Sequence, residues 1–263
     1  MSDQPGTPAR RRCRVAAVER ATDEVRVLRL ALADARPFDF KPGQFACLSF
    51  GGQEPRDYSI ASRPEAPLLE FHIRRAPGQG TSAFVADTVK QGDEVLLEGP
   101  FGDAYFRPQH RGAILALAGG AGIAPIKAIV EAALEQGLAR PVHLYLGVRL
   151  ESDLYLEDHF ARLAARHPNL TFVPILSDEA KPGRRHGLVG EALAADFAGL
   201  AGFKVYLAGP PPMVEAVSAL LLERGTAPED LHADPFYREA AKHRQAGSGS
   251  RSAPGLARPR GMD

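Results

Sequence analysis

The sequence is poor in cysteine. Only Cys13 and Cys47 occur among its 263 residues, and they form no Cys-x-x-Cys pair. Iron–sulfur clusters and structural zinc sites are held by three or four thiolates, or by thiolates together with histidines. A built-in ferredoxin domain, a disulfide framework and a metal site are therefore not expected. Both cysteines are explained more simply as small buried side chains.

The sequence also lacks an excess of either charge and a long uninterrupted apolar segment. Lys and Arg total 32, as do Asp and Glu, so net charge gives no general attraction to nucleic acid or anionic membrane. The most apolar stretch, 113–130, is interrupted by glycines, a proline and a lysine, and residues 1–12 contain no apolar run. We expect a soluble, cytoplasmic protein with no secretory signal, no membrane helix and no nucleic-acid partner.

The chain divides into two halves with different patterns. Within residues 13–110, short apolar runs bounded by Gly or Pro predict a small antiparallel barrel, with one helix at Ser82–Val89. Within residues 111–237, apolar strands alternate with helical segments, which predicts a parallel sheet covered by helices. Residues 1–12 and 238–263 are expected to be disordered tails, since the second contains Gly-Ser-Gly-Ser and scattered Arg and Pro.

Two glycine-containing turns in the second half follow predicted strands and precede predicted helices. The first is Gly119-Gly-Ala-Gly-Ile-Ala-Pro125, and the second is Gly209-Pro-Pro-Pro-Met213. Glycines let the backbone approach a pyrophosphate, and a helix N-terminus attracts its charge. Both turns lie at the carboxyl ends of strands, where open α/β sheets bind ligands. Together they indicate a dinucleotide site, although either turn alone could be an ordinary strand–helix connection.

A second nucleotide site is indicated in the barrel half. In the segment Arg56-Asp-Tyr-Ser59, arginine can hold phosphate, tyrosine can stack on a ring and serine can hydrogen-bond to one. The later Gly78-Gln-Gly-Thr-Ser82 precedes a helix and suits an anion for the same reason as above. In isolation, the first segment could equally be a polar turn.

In chain order, these motifs resemble those of the ferredoxin–NADP reductase superfamily. The matching segments are Pro42-Gly-Gln-Phe45, Arg56-x-Tyr58-Ser59, Gly80-Thr81-Ser82, Gly99-Pro-Phe-Gly102, Gly119-Gly120-x-Gly122-Ile123-Ala124-Pro125 and Gly209-Pro-Pro-Pro-Met213. The resemblance runs from Cys13 to Tyr237. It implies a six-stranded antiparallel FAD-binding barrel followed by a parallel-sheet NAD(P)-binding domain.

The resemblance also assigns roles to individual residues. Arg56 would hold the flavin phosphates, Tyr58 would stack on the flavin ring, and Ser59 would hydrogen-bond near its N5 atom. The ribityl side and the pyrophosphate would be contacted by His72, Ile73, Arg74, Gly80, Thr81 and Ser82. The nicotinamide cofactor would be contacted by Gly119, Gly120, Ala121, Gly122, Ile123, Pro125, Gly209, Pro210, Pro211 and Met213.

Near the chain end, Asp234-Pro-Phe236 matches the acid and aromatic residue found there in the superfamily. Phe236 would then cover the flavin face, and Asp234 would act with Ser59 in the transfer. The alternative for Phe236 is an anchor of the chain end in the core. Ala121 and Ala208 replace the Thr or Ser and the Cys that are frequent in the superfamily, so we expect slower hydride transfer.

Local charge bears on the choice of nicotinamide cofactor. NADP-specific members carry Ser then Arg after the third strand of this sheet, whereas here Ser177 is followed by Asp178 and Glu179. A carboxylate accepts ribose hydroxyls and repels a 2′-phosphate, which favours NADH over NADPH. Arg149 is the predicted cofactor contact that could offset this charge, as could Arg184 and Arg185. Alternatively, Asp178 is a solvated turn residue.

The resemblance implies a flavoprotein that takes hydride from NADH, with FAD favoured over FMN because the Gly80–Ser82 loop suits a pyrophosphate. Electrons would then pass to a separate acceptor protein, either a ferredoxin or an oxygenase component. Two alternatives remain: an NAD(P)H-dependent reductase of free flavin, and a non-catalytic regulator that binds flavin or nucleotide. No Gly-x-Ser-x-Gly or His-Glu-x-x-His motif points to a hydrolase.

Overall fold

The N-terminal half of the chain is an antiparallel near-barrel. The computed structural model describes residues 8–34, 36–137 and 139–237. The elements of this half are β1 (Ala9–Arg20), β2 (Val25–Leu32), β3 (Phe45–Phe50), β4 (Arg56–Ser59), β5 (Leu69–Arg74), α1 (Thr81–Asp87) and β6 (Glu94–Phe101). The strand order is β4-β3-β6-β1-β2-β5, and a bridge between Ile60 and Phe71 brings the two edges together. The predicted six-stranded antiparallel fold is confirmed.

The barrel core is built from alternate residues of its strands. In β3, Ala46, Leu48 and Phe50 are buried, and their neighbours in sequence are only half-buried. Because successive side chains of a strand point to opposite faces, this alternation turns one apolar face inward. Cys13 is buried in the same core, as expected, whereas Cys47 lies on the opposite face of β3 and is half-buried.

The C-terminal half is a parallel sheet with helices on both faces. Its elements are β7 (Ile114–Gly119), α2 (Ile123–Glu135), β8 (Val142–Val148), α3 (Glu157–Arg166), β9 (Leu170–Leu176), β10 (Arg185–His186), α4 (Val189–Asp196), β11 (Lys204–Gly209), α5 (Pro211–Glu223) and β12 (Leu231–Pro235). The strand order is β10-β9-β8-β7-β11-β12. Every residue of the central β7 is buried, which is typical of a parallel strand covered on both sides.

The two faces of this sheet carry separate cores. Ile114, Ala116 and Ala118 of β7 pack with apolar residues of α2 and α3, whereas Leu115 and Leu117 pack with those of α4 and α5. The core beneath α2 also contains Val25 and Phe106 of the barrel half. The barrel therefore shares apolar packing with the second domain, and the surface between them is called the domain seam below.

Three predictions about the chain need correction or comment. Residues 9–12 are not a tail, because β1 begins at Ala9, which pairs with Gly99 of β6. The consecutive arginines there do not resemble an apolar strand, although they form one: Arg10 and Arg12 are exposed, and Arg11 is largely covered and binds Asp34. The helical pattern in the sequence extends from Leu154 to Arg166 and predicts a helix there, but α3 begins at Glu157, because Leu156 has a φ of +66°. The predicted tail at 238–263 lies outside the described residues. No helix in the described part has the length and apolar character to cross a membrane.

Candidate cofactor-binding site

A cleft of about 510 Å³ lies where the carboxyl ends of the parallel strands meet the barrel. Its floor is formed by the ends of β7 and β8 and by the residue after β9, and the first turns of α4 and α5 form its walls. Open α/β sheets bind ligands at this edge. The predicted residues that line the cleft are Arg74, Gly119, Gly120, Ala121, Arg149, Ser177, Pro210 and Met213.

The two glycine turns pack directly against each other beneath the cleft. A Cβ atom on Gly122 would lie 2.2 Å from the backbone oxygen of Ala208, and one on Gly119 would lie 2.5 Å from Sδ of Met213. Neither position has room for a side chain. Gly120 has a φ of +53°, which favours glycine for conformational reasons. This close approach leaves backbone exposed to the cleft at the start of α2, where a phosphate is attracted.

Several predicted contacts shape these turns instead of lining the cleft. Ile123 and Pro125 are buried in the first turn of α2, where a proline fits because its missing N–H would have no helical partner. Only the backbone of these two residues remains for the predicted contact. Gly209 has a φ of +150° and packs on Gly119, and Pro211 opens α5 while its neighbour Pro212 lines the cleft.

Other cleft residues were missed by the sequence analysis. Gly147 could have been found, because it lies near the end of β8 as Gly119 ends β7, and a Cβ there would lie 2.6 Å from Cγ2 of Val189. No local pattern marks Tyr155 or the hairpin between β1 and β2. The missed lining residues include Thr22, Glu24, Val25, Gly147, Tyr155, Gly187, Leu188 and Val189.

Asp178 does not line the cleft itself but is held beside it by two residues that do. Its carboxylate accepts hydrogen bonds from Oγ of Ser177 at 2.6 Å and from Nε of Arg149 at 2.7 Å. These bonds lower the pKa of Asp178, so it is ionised at neutral pH. The two other arginines considered above are engaged elsewhere. Arg184 binds Glu151 and Glu157, and Arg185 binds Asp196 at 2.5 Å.

In the barrel, the predicted flavin segment is an edge strand and not a turn. Arg56, Tyr58 and Ser59 of β4 pair with Leu48, Ala46 and Phe45 of β3. Arg56 and Tyr58 share one face because they are two residues apart, and Ser59 lies on the other. Tyr58 is half-buried and packs against the barrel core, which leaves part of its ring accessible.

The glycine loop before α1 is organised by its own side chains. Thr81 is buried, and its hydroxyl donates a hydrogen bond of 2.7 Å to the backbone oxygen of Glu54. Oγ of Ser82 accepts one of 3.1 Å from the amide of Ala76. Gly80 has a φ of +150°, and the first turn of α1 contains no acidic residue. Backbone amides, more than the two hydroxyls, are therefore what this loop offers to a phosphate.

The three predicted residues of β5 do not share one environment. Ile73 is fully buried in the barrel core, so its side chain cannot contact a ligand. His72 is buried in the domain seam, where its ring meets Tyr155 and Glu70. Arg74 lines the cleft and is paired with Glu24 at 2.6 Å. Of the three, only Arg74 lines the cleft with its side chain, and its predicted contact with the ribityl side stays a prediction.

The chain-end motif lies on β12 beside the second glycine turn. Asp234 pairs with Ala208, and the amide of Phe236 donates to the backbone oxygen of Gly209 at 2.9 Å. Phe236 is half-buried and packs against the core beneath α2. This placement is compatible with either interpretation of Phe236, as a cover of the flavin face or as an anchor of the chain end.

The residues present fit a flavin dinucleotide and a nicotinamide cofactor by the chemistry of their donors. A guanidinium, a tyrosine ring and a helix start free of acidic residues lie in the barrel half. In the second domain, Gly120 has a positive φ, lines the cleft and has open space around it, so backbone is accessible to a ligand there. In the described part of the chain, no three His, Cys, Asp or Glu residues are grouped as metal ligands would be.

Comparison with known proteins agrees with this geometry. Residues 12–106 match the model of the oxidoreductase FAD-binding domain, and residues 116–219 match that of the oxidoreductase NAD-binding domain. The chain is 44% identical over 224 residues to the ferredoxin–NAD(P)⁺ reductase component of the naphthalene 1,2-dioxygenase/salicylate 5-hydroxylase systems of Ralstonia sp, covering 85% of this chain and 68% of that protein. The chain belongs to the ferredoxin–NADP reductase superfamily.

Two further relatives support this membership. The ferredoxin–NAD(P)⁺ reductase component of the naphthalene 1,2-dioxygenase system of Pseudomonas putida is 41% identical, over 85% of this chain and 68% of that protein. The crystal structure of an Amycolatopsis cytochrome P450 reductase superposes with a TM-score of 0.82 at 35% identity, covering 87% of this chain and 70% of the other. As a superfamily member with an FAD-binding and an NAD-binding domain, the protein is an oxidoreductase, and a non-catalytic regulator is not supported.

Proposed function

We propose that this protein is the NADH-dependent reductase component of a multicomponent oxygenase system. It takes electrons from NADH through FAD and delivers them to a separate ferredoxin or oxygenase component. The observation that carries the proposal is the cleft, in which the glycine turns of the second domain face the barrel across one cofactor-sized space. The relatives at 44% and 41% identity are reductase components of dioxygenase systems, which supports the choice of acceptor.

The proposed roles of the individual residues follow from where the structure places them. Bound FAD would supply a centre that accepts two electrons from NADH and can release them singly. Arg56 and the amides at the start of α1 would hold its phosphates, and Tyr58 would stack on its ring. Ser59 and Asp234 would hydrogen-bond near the reacting atoms, and Phe236 would cover the face that the nicotinamide must reach. Hydride transfer depends mainly on alignment, which the two domains would provide by holding the two cofactors against each other.

The test of this proposal is an absorption spectrum of gel-filtered protein, recorded before and after addition of NADH without oxygen. We expect flavin bands that survive gel filtration and bleach on NADH, and fast reoxidation by a purified ferredoxin or oxygenase component. Flavin that washes off, with turnover sustained by free FAD or FMN, would support the alternative of a free-flavin reductase. Bound flavin that NADH never reduces would refute both.

The proposed preference for NADH rests on the ionised Asp178, which is bound to two residues of the cleft lining, Ser177 and Arg149. A 2′-phosphate placed beside Ser177 and Arg149 would meet this carboxylate, and neither Arg184 nor Arg185 is available to offset it. We expect Asp178→Ala to lower the ratio of kcat/KM for NADH to that for NADPH about tenfold, equivalent to about 1.4 kcal/mol. Glu179→Ala is the matched control, because Glu179 binds Lys181 and the amide of Glu151, whereas Asp178 binds Ser177 and Arg149, which line the cleft. An unchanged ratio in Asp178→Ala would refute this assignment.

A further inference from the structure

The face of β5 turned away from the barrel core carries three polar residues in alternation. Leu69, Phe71 and Ile73 point into the core. Glu70, His72 and Arg74 therefore point outward together, toward the second domain. The first two are buried in the domain seam, and the third lines the cofactor cleft. One strand face thus connects the seam to the cleft.

Each of the two buried residues is bound by the second domain. Nδ1 of His72 lies 3.2 Å from the hydroxyl of Tyr155, and its Nε2 lies 3.0 Å from Oε1 of Glu70. The same Glu70 oxygen lies 3.3 Å from Nζ of Lys127 in α2. Lys127 also binds Glu131, which accepts a hydrogen bond from His159 in α3. These contacts join β5 to both helices on this face of the second sheet.

The chemistry of the groups fixes the direction of these hydrogen bonds. The ionised carboxylate of Glu70 can only accept, so Nε2 of His72 carries a proton. Burial disfavours the charged ring and lowers the pKa of His72, so the ring is neutral and its Nδ1 is an acceptor. The hydroxyl of Tyr155 therefore donates to Nδ1. The His72 side chain is 0% exposed, so water cannot replace this donor.

Besides its contact with His72, Tyr155 lines the cofactor cleft. It lies between the end of β8 and α3, and its side chain is almost fully buried between the cleft and the barrel. Its hydroxyl donates a direct hydrogen bond from a cleft-lining side chain of the second domain to β5. A change in this contact would alter how far the floor of the cleft stands from the barrel.

We propose that Tyr155 and His72 are positioning residues whose hydrogen bond sets the spacing between the cofactor cleft and the barrel, and so aligns the nicotinamide with the flavin. The inference rests on the proposed function for the alignment, although the contact itself is independent of it. A small error in alignment is costly, since a misplacement of about 1 Å can slow a transfer about a hundredfold. Loss of one hydroxyl should therefore slow hydride transfer more than it weakens cofactor binding.

The test compares Tyr155→Phe with Tyr145→Phe. Tyr145 is a matched control, because it is a buried tyrosine of the same domain whose hydroxyl donates 2.6 Å to Asp196, and it does not line the cleft. We expect Tyr155→Phe to lower the limiting rate of flavin reduction by NADH about tenfold in stopped-flow measurements. Flavin content and the Kd for NADH should change less than about twofold, and Tyr145→Phe should retain the wild-type rate.

A second readout does not depend on activity. Amide hydrogen exchange in 69–74 and 123–135 should be faster in Tyr155→Phe than in the wild type or in Tyr145→Phe, because β5 and α2 meet at the seam. A wild-type rate in Tyr155→Phe, or equal slowing in both variants, would overturn the inference. If NADH did not reduce the flavin of the wild-type protein, the proposed function would be refuted and the alignment role with it. If amide exchange in Tyr155→Phe equalled that of the wild type, only the role of this hydrogen bond in holding the seam would be refuted.

Discussion

Lys127 is the buried cation at the centre of the domain seam, and its replacement by methionine tests what the buried charges contribute. Its Nζ lies 3.3 Å from Glu70, 3.2 Å from Glu131 and 3.2 Å from the backbone oxygen of Ala61, and the side chain is only 11% exposed. Removing one partner of a buried ion pair costs about 3–5 kcal/mol, because the other charge stays buried without compensation. Arg29 still binds Glu70, so we expect a value near the lower limit, about 3 kcal/mol.

The assay is urea unfolding at pH 7, together with the thermal midpoint. For a chain of this size, about 3 kcal/mol corresponds to a decrease in Tm of roughly 6–12 °C. Arg14→Met is the control, because the Arg14–Glu94 pair is 62% and 71% exposed and should contribute less than about 1 kcal/mol. If Lys127→Met cost no more than Arg14→Met, the seam charges would have to be hydrated, and the account of a buried network would be wrong.

Two other expectations concern the cleft and pH. Gly122→Ala should weaken NADH binding more than about tenfold, because its Cβ would overlap the backbone oxygen of Ala208. Gly51→Ala is the control, because a Cβ at Gly51 would lie in open space. Equal Kd values for NADH in the two variants, measured by titration, would contradict this prediction. Burial, reinforced by the charges of Arg107 and Lys204, lowers the pKa of His232 from 6.5 to about 4. Between these values only the unfolded chain takes up the proton, so stability should fall as pH decreases from 6.5 to 4. His232→Phe, which keeps the stacking on Tyr206, should show a weaker pH dependence of the urea midpoint, and an unchanged slope would count against it.

The strands of the second domain were the most predictable part of the fold. The sequence pattern predicts strands at Val142–Val148 and Leu170–Leu176, and these are the bounds of β8 and β9 in the structure. Buried parallel strands are short apolar runs between polar turns, so their limits are visible locally. The predicted barrel begins at Cys13, whereas β1 begins at Ala9, because residues 10–12 are three arginines and their partners on β6 are distant in sequence. Pairing at that distance leaves no signal in the strand itself.

For the site, local chemistry predicted the turns but not the direction of every side chain. Gly119 and Gly120 line the cleft as expected, because a strand–glycine–helix sequence has few possible geometries. His72, Ile73 and Arg74 were assigned together to one ligand. Strand alternation sends Ile73 into the core, and docking of the second domain buries His72 while leaving Arg74 at the cleft. The burial of Ile73 could have been predicted from the alternation of side chains along a strand. The different surroundings of His72 and Arg74 could not, because they depend on where the second domain docks.

The sequence by itself determined the two-domain order, the superfamily and the places where a strand, a glycine turn and a helix follow one another, because glycine, proline and apolar runs act over a few residues. Tertiary structure alone decided how the domains meet. Glu70, Lys127 and Tyr155 are far apart in the chain, and each is unremarkable where it stands. They become one network only because the barrel docks on α2 and excludes water, which makes each buried charge depend on its partners.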